Sequence, residues 1–228
     1  MEAIILAGGF GTRLRRAVPD LPKPMAPVAG RPFLEILLTL LARKGFSRVV
    51  LSLGYLHEKV VDHFGDQYAG MELVYEIEHT PLGTGGAIRA ALTRCVADHL
   101  YIFNGDTYLD LEFVELEHLW QSNHHPIIVV REAPNTTRFG RVEMCDGRIN
   151  SFLEKGMSGP GLINAGCYVL PKTALDSFPL GQPFSLETEF FIKNLQSLRL
   201  DGFVTHGRFI DIGVPDDYAL AQTALAGL

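Results

Sequence analysis

The sequence predicts an α/β fold built on a mixed, mostly parallel central sheet flanked by helices. Three observations carry that expectation. Short apolar runs alternate with segments of helical period, a glycine run follows directly on the first apolar run, and 228 residues, 47% of them hydrophobic, suffice to bury a core. Domains commonly hold about 100 to 200 residues and single α/β domains up to about 250, so one domain over residues 1–228 is expected.

In chain order, Ala3 to Leu6, Arg48 to Leu53, Leu73 to Ile77, Leu100 to Phe103 and Ile127 to Val130 read as strands. Between the first two, the spacing predicts a helix over Phe33 to Lys44. Phe33, Ile36, Leu37, Leu40 and Leu41 share one face of it, and Gly45 is its stop. Further helices are expected over Glu58 to Phe64, Gly86 to Thr93 and Leu111 to Gln121. From Gly140 to Leu170 apolar and polar residues alternate between glycine-rich turns, which predicts a smaller antiparallel part joined to the sheet. Leu186 to Leu195 and Asp216 to Leu225 return to helical spacing, the second behind Pro215 at a first-turn position.

Twenty Lys and Arg against 26 Asp and Glu leave a formal charge of −6, which speaks against nucleic acid as the main partner, since phosphate-backbone binding needs a basic face. Cys95, Cys145 and Cys167 lie far apart with no CxxC or Cys/His spacing, so small packing residues in a reducing compartment are expected. The start MEAIILAGGFGTRL lacks the basic lead and longer apolar core of a secretory signal. Nowhere do the roughly 18 uninterrupted apolar residues of a membrane span occur, so a cytoplasmic protein with no membrane partner is expected. His124 and His125 precede Pro126 at a helix-to-strand turn and read as surface imidazoles. Trp120 continues the apolar face of Leu116 and Leu119 and reads as a core or interface residue.

The most informative stretch is Leu6-Ala7-Gly8-Gly9-Phe10-Gly11-Thr12-Arg13-Leu14, directly after the first strand. Three glycines in four positions let backbone N–H groups converge on an anion. The Walker pattern fails for want of Lys and Ser/Thr after the last glycine, and GxGxxG fails because Leu14 stands where the third glycine belongs. The distinguishing features are Arg13 inside the loop and Lys23 in Leu21-Pro22-Lys23-Pro24-Met25. Asp106 follows the Leu100 to Phe103 strand, at the sheet edge where open α/β folds bind ligands, and Asp211 closes Phe209-Ile210 in the same manner.

The GGFGTRL loop followed by PKPMAPVAGRPFLE resembles the sugar-1-phosphate nucleotidylyltransferases, or NDP-sugar pyrophosphorylases. The resemblance continues through Pro81-Leu82-Gly83-Thr84-Gly85-Gly86-Ala87-Ile88, Asn104-Gly105-Asp106, Glu154-Lys155-Gly156, Asn164-Ala165-Gly166 and Phe209-Ile210-Asp211-Ile212-Gly213. It implies a Rossmann-like nucleotide-diphospho-sugar transferase fold and the reaction NTP + sugar 1-phosphate → NDP-sugar + pyrophosphate. A sugar 1-phosphate is already an ionised oxygen nucleophile at neutral pH, so no Ser, Cys or His base is required. Such a site must align two substrates and offset negative charge at the α-phosphate.

By that resemblance, Leu6, Ala7, Gly8, Gly9, Gly11 and Thr12 contact the nucleotide, and Arg13 neutralises phosphate charge in the transition state. Lys23 reaches the triphosphate or the attacked α-phosphate. Pro81 to Ala87 form the base-recognition loop, with Pro81, Gly83 and Thr84 as contacts, the glycines letting the backbone approach a flat base edge. Asp106 and Asp211 match the family's Mg²⁺ pair. Asn104 and Gly105 serve the sugar phosphate, Glu154 accepts hydrogen bonds from sugar hydroxyls and Lys155 binds the sugar's phosphate, with Gly156 permitting the bend that lets adjacent residues reach one ligand. Asn164 contacts ring hydroxyls and Gly166 leaves room for the ring. For Glu187 and Glu189, at a helix start, a cap or support of the sugar part is favoured over direct catalysis.

GGFGTRLR, PLGTGGAI and FIDIGVPDDY resemble most closely the bacterial guanylyltransferases acting on D-glycero-D-manno-heptose 1-phosphate, so GTP and that sugar phosphate are the expected partners. Uridylyl transfer and mannose-1-phosphate guanylyl transfer are the alternatives within the family. From another class, a catalytically silent nucleotide-sugar-sensing regulator would be expected to have lost Arg13, Asp106 or Asp211, and all three are present. A homodimer is among the expectations, and, with motifs reaching residues 209–213, no C-terminal β-helix is expected.

Overall fold

The structure is a computed structural model that describes residues 1–9, 21–153 and 156–228. Gly11, Thr12 and Arg13 of the glycine loop and the Glu154-Lys155 pair lie outside those described residues. The chain lays down β1 (Glu2–Ala7), the small hairpin β2 (Pro27–Val28) and β3 (Arg31–Pro32), α1 (Phe33–Arg43), β4 (Arg48–Leu53), α2 (His57–Phe64), β5 (Gln67–Tyr68) and β6 (Met71–Ile77). Next come α3 (Gly83–Ala91), β7 (His99–Asn104), β8 (Thr107–Leu109), α4 (Phe113–Asn123) and β9 (Ile127–Ala133). The remainder is β10 (Arg141–Cys145), β11 (Arg148–Leu153), β12 (Gly161–Pro171), a π-helical segment over Leu186–Ile192, β13 (Asp201–Val204), β14 (Phe209–Asp211) and α5 (Pro215–Ala224).

Strands β1, β4, β6 and β7 are parallel and stand in the order β7-β1-β4-β6. The chain therefore moves outward from β1 through β4 to β6 and then returns to the other side of β1 with β7. That reversal creates a switch point between the C-terminal ends of β1 and β7, where open α/β sheets form a ligand crevice. Continuous apolar runs suit strands covered on both faces, and Ala3, Ile4, Ile5, Val49, Val50 and Leu51 are fully buried. Beyond β7 the sheet turns antiparallel. Strand β12 pairs with β7, β9 and β10, β10 with β11, β11 with β13, and β13 returns to β9, so five strands close into a small ring.

One face of the sheet is covered by α1, α2 and α4, and the other by α3 and the π-helical segment. Helix α1 buries two faces rather than the one its spacing predicts. Leu34, Leu38 and Leu41 pack on the sheet, while Phe33, Ile36 and Leu37 meet Tyr108, Ile210, Ile212 and Ala221. Pro215 does open α5 at its first turn. Helix α4 starts at Phe113 rather than Leu111. The preceding Glu112 is turned away to accept bonds from Thr205 Oγ1 (2.6 Å) and His206 N (3.1 Å). Close by, Asp110 N donates to Arg208 O at 3.0 Å, so the points where the chain leaves for α4 and comes back from β13 are fastened together.

Trp120 is buried and stacks on His99, with ring centroids 4.8 Å apart. Cys95 and Cys167 are packing residues as expected, but Cys145 is exposed, because it ends β10 at the Asp146-Gly147 turn, beyond the Arg141 and Val142 positions that pair with β12. No helix among the described residues is long and apolar enough to cross a membrane.

Candidate active site

The switch point presents Gly8 and Gly9 after β1 and Asn104-Gly105-Asp106 after β7. In register, Leu6 faces Asn104, and Gly105 N donates to Leu6 O at 2.8 Å. A Cβ on Gly105 would stand 2.6 Å from that same carbonyl. Only glycine admits this close approach, which holds the corner carrying Asp106 against the end of β1. Strands β8 and β14 then bring two distant aspartates together. They pair antiparallel with Thr107 opposite Asp211, and Ile212 N donates to Asp106 O at 2.9 Å.

Lys23 enters from a 3₁₀ turn over Lys23–Met25 and forms an ion pair with Asp106. The lysine side chain is 12% exposed and that of Asp106 31%. Gly213 N donates to Asp211 Oδ1 at 2.7 Å. Burial, followed by the neighbouring Asp106 charge, pushes the Asp211 carboxyl above the usual carboxylate range, while the Gly213 amide and Lys23 pull it back. Two carboxylates under mutual strain, offset in part by one lysine, suit a hard divalent cation. Mg²⁺ takes one or two carboxylates and fills the rest of its shell with water and substrate phosphate oxygens. Asp106 and Asp211 fit that donor set.

A cavity of about 400 Å³ reaches from Asp106, Asp211 and Asn104 to Asn164 and Glu187, past an apolar wall that includes Phe139, Phe152 and Phe209. Asn164 precedes a bulge in β12, where Gly166 takes φ +74°. A Cβ on Gly166 would meet Asn104 Nδ2 at 2.6 Å, so the glycine makes room for the Asn104 amide. Asn164 lines the cavity, but its polar atoms are engaged. Nδ2 donates to Tyr168 OH (2.9 Å) and Glu187 Oε1 (2.5 Å), and Oδ1 accepts from Gly166 N (2.9 Å). Gly156 has φ +103°, a left-handed conformation that favours glycine.

Just past the end of β1, a Cβ on Gly8 would stand 2.7 Å from Glu78 Oε1. That carboxylate, just beyond β6, accepts from Ser52 Oγ at 2.9 Å and Leu82 N at 3.2 Å, with no cation against it among the described residues. Glu78 belongs to none of the motifs that the sequence displays. Its signal is an acid at the C-terminal end of a parallel strand, next in space to the glycine loop. The Pro81 to Ala87 loop is largely helical, since α3 begins at Gly83. Its glycines admit a neighbouring segment. Gly83 (φ +67°) and Gly86 would each place a Cβ against a carbonyl of the 182–184 stretch, Gly85 N donates to Phe184 O at 3.0 Å, and Thr84 Oγ1 accepts from Leu186 N at 3.0 Å.

A parallel sheet whose switch point joins a glycine turn to a lysine and two carboxylates defines a nucleotide-binding α/β protein equipped for phosphate chemistry. The nucleotidyl transferase family model matches residues 2–227, and the chain belongs to that family of enzymes. It is 40% identical over 229 residues to D-glycero-alpha-D-manno-heptose 1-phosphate guanylyltransferase of Aneurinibacillus thermoaerophilus, covering 99% of this chain and 98% of that protein. The crystal structure of HddC from Yersinia pseudotuberculosis is 36% identical with a TM-score of 0.88, and its complex with GMP-PN has a TM-score of 0.86; each match covers 98% of both chains. Mannose-1-phosphate guanylyltransferase of Mycobacterium tuberculosis is 35% identical over 99% of this chain but 64% of its own length.

Proposed function

We propose that residues 1–228 act as one catalytic domain that transfers GMP from GTP to D-glycero-α-D-manno-heptose 1-phosphate, releasing pyrophosphate. The observation that carries this reading is the convergence of Lys23, Asp106 and Asp211 beside Gly8 and Gly9, at the mouth of a cavity of sugar size. A phosphate monoester is largely dianionic at neutral pH, its second pKa being about 6, and attacks without a general base. Its oxygen forms a bond to the α-phosphorus as the bond from that phosphorus to the bridging oxygen of pyrophosphate breaks in line.

Asp106 and Asp211 would hold Mg²⁺, which supplies positive charge where phosphate oxygens crowd. Lys23, now paired with Asp106, is placed to exchange that partner for substrate phosphate. Leu6, Ala7, Gly8 and Gly9 border the nucleotide site, with Pro81, Gly83 and Thr84 at its far rim, Asn104 and Gly105 on the sugar-phosphate side, and Asn164 and Gly166 behind them. Gly11, Thr12, Arg13, Glu154 and Lys155 keep the roles that the family resemblance implies for them.

Glu78 supports guanine as the base. A carboxylate with no cation against it among the described residues repels phosphate but complements the adjacent N1–H and N2–H₂ donors of guanine. Uracil offers one such donor, and cytosine or adenine sets an acceptor beside its amine. Mannose 1-phosphate is the second reading for the sugar, favoured by the mycobacterial relative. We place the reaction in the cytoplasm, as the supply of an activated heptose for a surface glycan, and the exposed thiol of Cys145 accords with a reducing compartment.

The test is pyrophosphate release from GTP, UTP, CTP, dTTP and ATP, each with heptose, mannose, glucose and N-acetylmuramate 1-phosphates. GTP with the heptose should give the highest kcat/KM. Preference for another base overturns guanylyl transfer, and preference for mannose replaces the sugar. Glu78→Gln, which turns an acceptor into a donor against the guanine amine, should narrow the GTP preference by about 10- to 100-fold, a loss of about 1.5 to 3 kcal/mol.

A further inference from the structure

Within the sugar cavity, most polar side chains are already occupied. The Arg141 guanidinium donates to Thr136 Oγ1 (3.0 Å), Ser158 O (3.1 Å) and Gly159 O (3.3 Å), and Thr107 Oγ1 donates to Asp106 (3.2 Å). Asn164 is engaged through its whole amide. Glu187 differs. Oε1 accepts from Asn164 and, at 3.5 Å, from Tyr168 OH, whereas Oε2 meets no donor among the described residues.

Nor does the π-helical segment need Glu187 as a cap. Ser185 Oγ accepts from Thr188 N at 3.2 Å and Glu189 Oε2 accepts from Ser185 N at 2.7 Å, which together form a reciprocal cap. Leu186 N is met by Thr84. The widened π turn commonly marks a functional place in a helix, and here it carries Glu187 to the cavity wall. Asn164 and the buried Tyr168 therefore act as positioning residues that aim one carboxylate oxygen and leave the other without a donor among the described residues.

We infer that Glu187 is a specificity-determining residue that accepts a hydrogen bond from a hydroxyl of the sugar 1-phosphate, so that the enzyme recognises the sugar's hydroxyl pattern through Glu187 rather than through Asn164. The inference rests on the proposed reaction for the identity of the cavity's occupant, but not on GTP or heptose in particular. A charge-assisted bond to a substrate hydroxyl is lost whenever either partner is removed, and the two losses do not add.

The experiment measures kcat/KM for the nucleotide and sugar 1-phosphate pair that the wild type prefers, and for analogues lacking one hydroxyl at a time. It compares wild type, Glu187→Gln, Glu187→Asp and, as a control on the cap, Glu189→Gln. At one hydroxyl the wild type should lose about 10- to 100-fold on deoxygenation, and Glu187→Gln should lose less than about threefold there. With the parent sugar, Glu187→Gln should raise the sugar-phosphate KM with little change in the nucleotide KM, and Glu189→Gln should keep the wild-type deoxy penalty. Equal deoxy penalties in wild type and both Glu187 variants overturn the inference, as does an unchanged parent kcat/KM. If Glu187→Gln folds poorly, Glu187→Asp gives the same reading with a shortened carboxylate. A wild type that turns over no sugar 1-phosphate with any nucleotide defeats the proposed function instead, so the two failures are told apart.

Discussion

The two sides of the cavity are built by different means. On the phosphate side, Asp106 and Asp211 sit at ends of regular strands, brought together by a backbone pairing that leaves little freedom. On the sugar side, Asn164 and Glu187 sit on a bulge and a π turn and are held by side-chain hydrogen bonds. Backbone ladders fix position irrespective of side chain, whereas bulges and π turns re-aim side chains at small cost and are commonly found beside functional sites. The rigid side suits chemistry common to a family, and the irregular side suits choice of substrate.

That contrast can be broken most decisively on the phosphate side. Asp106→Asn or Asp211→Asn should lower kcat by at least about a thousandfold in a pyrophosphate-release assay, as expected when several kcal/mol of charge stabilisation is removed. The same Asp211→Asn should raise the melting temperature in metal-free buffer near neutral pH. Its carboxyl has a raised pKa in the fold, so the ionised form costs stability, progressively as pH rises from the ordinary Asp value through the folded one. The gain should vanish as pH falls back to that ordinary value. A variant that is inactive but less stable would contradict the electrostatic account.

A smaller loss, about 100-fold in kcat/KM, is expected for Lys23→Ala, because one cation among several contributors is removed. Little effect on rate would mean that Lys23 serves only as the resting partner of Asp106. Smallest is the difference between two glycines. Gly105→Ala meets a backbone carbonyl and should cost about 1 to 3 kcal/mol of stability together with activity. Gly166→Ala meets the movable Asn104 side chain, so its cost is about 1 to 2 kcal/mol from its left-handed backbone, expressed mainly in the sugar-phosphate KM. Denaturant melts with steady-state kinetics separate the two, and equal effects on kcat would erase the proposed division.

The same division governs what was legible in the sequence. Strands β1, β4 and β7 and helix α1 announce themselves through long apolar runs or sustained helical spacing, and they place the switch point. Strands β8, β13 and β14, of three or four residues, are too short to carry a period, although β8 and β14 align the aspartates. The spacing from Leu186 predicts a helix, and nothing in it distinguishes a π turn from an α turn. Lys23, Asp106 and Asp211 were named from motifs, and the fold brings them together. Asn164 shows the limit, because its amide is occupied by Glu187 and Tyr168, and Glu187 arrives from a segment far along the chain. Glu78 escapes the sequence for a related reason, since its neighbour Gly8 follows a different strand.

The fastening of Asp110 to Arg208 and of Glu112 to Thr205 has a topological consequence. Everything between those points, including the bulge, the π turn and the ring of strands, leaves and re-enters the phosphate-handling part at one place, with β7 against β12 as a long seam. The pairing that aligns Asp106 with Asp211 lies wholly outside that excursion, on the residues just before and just after it.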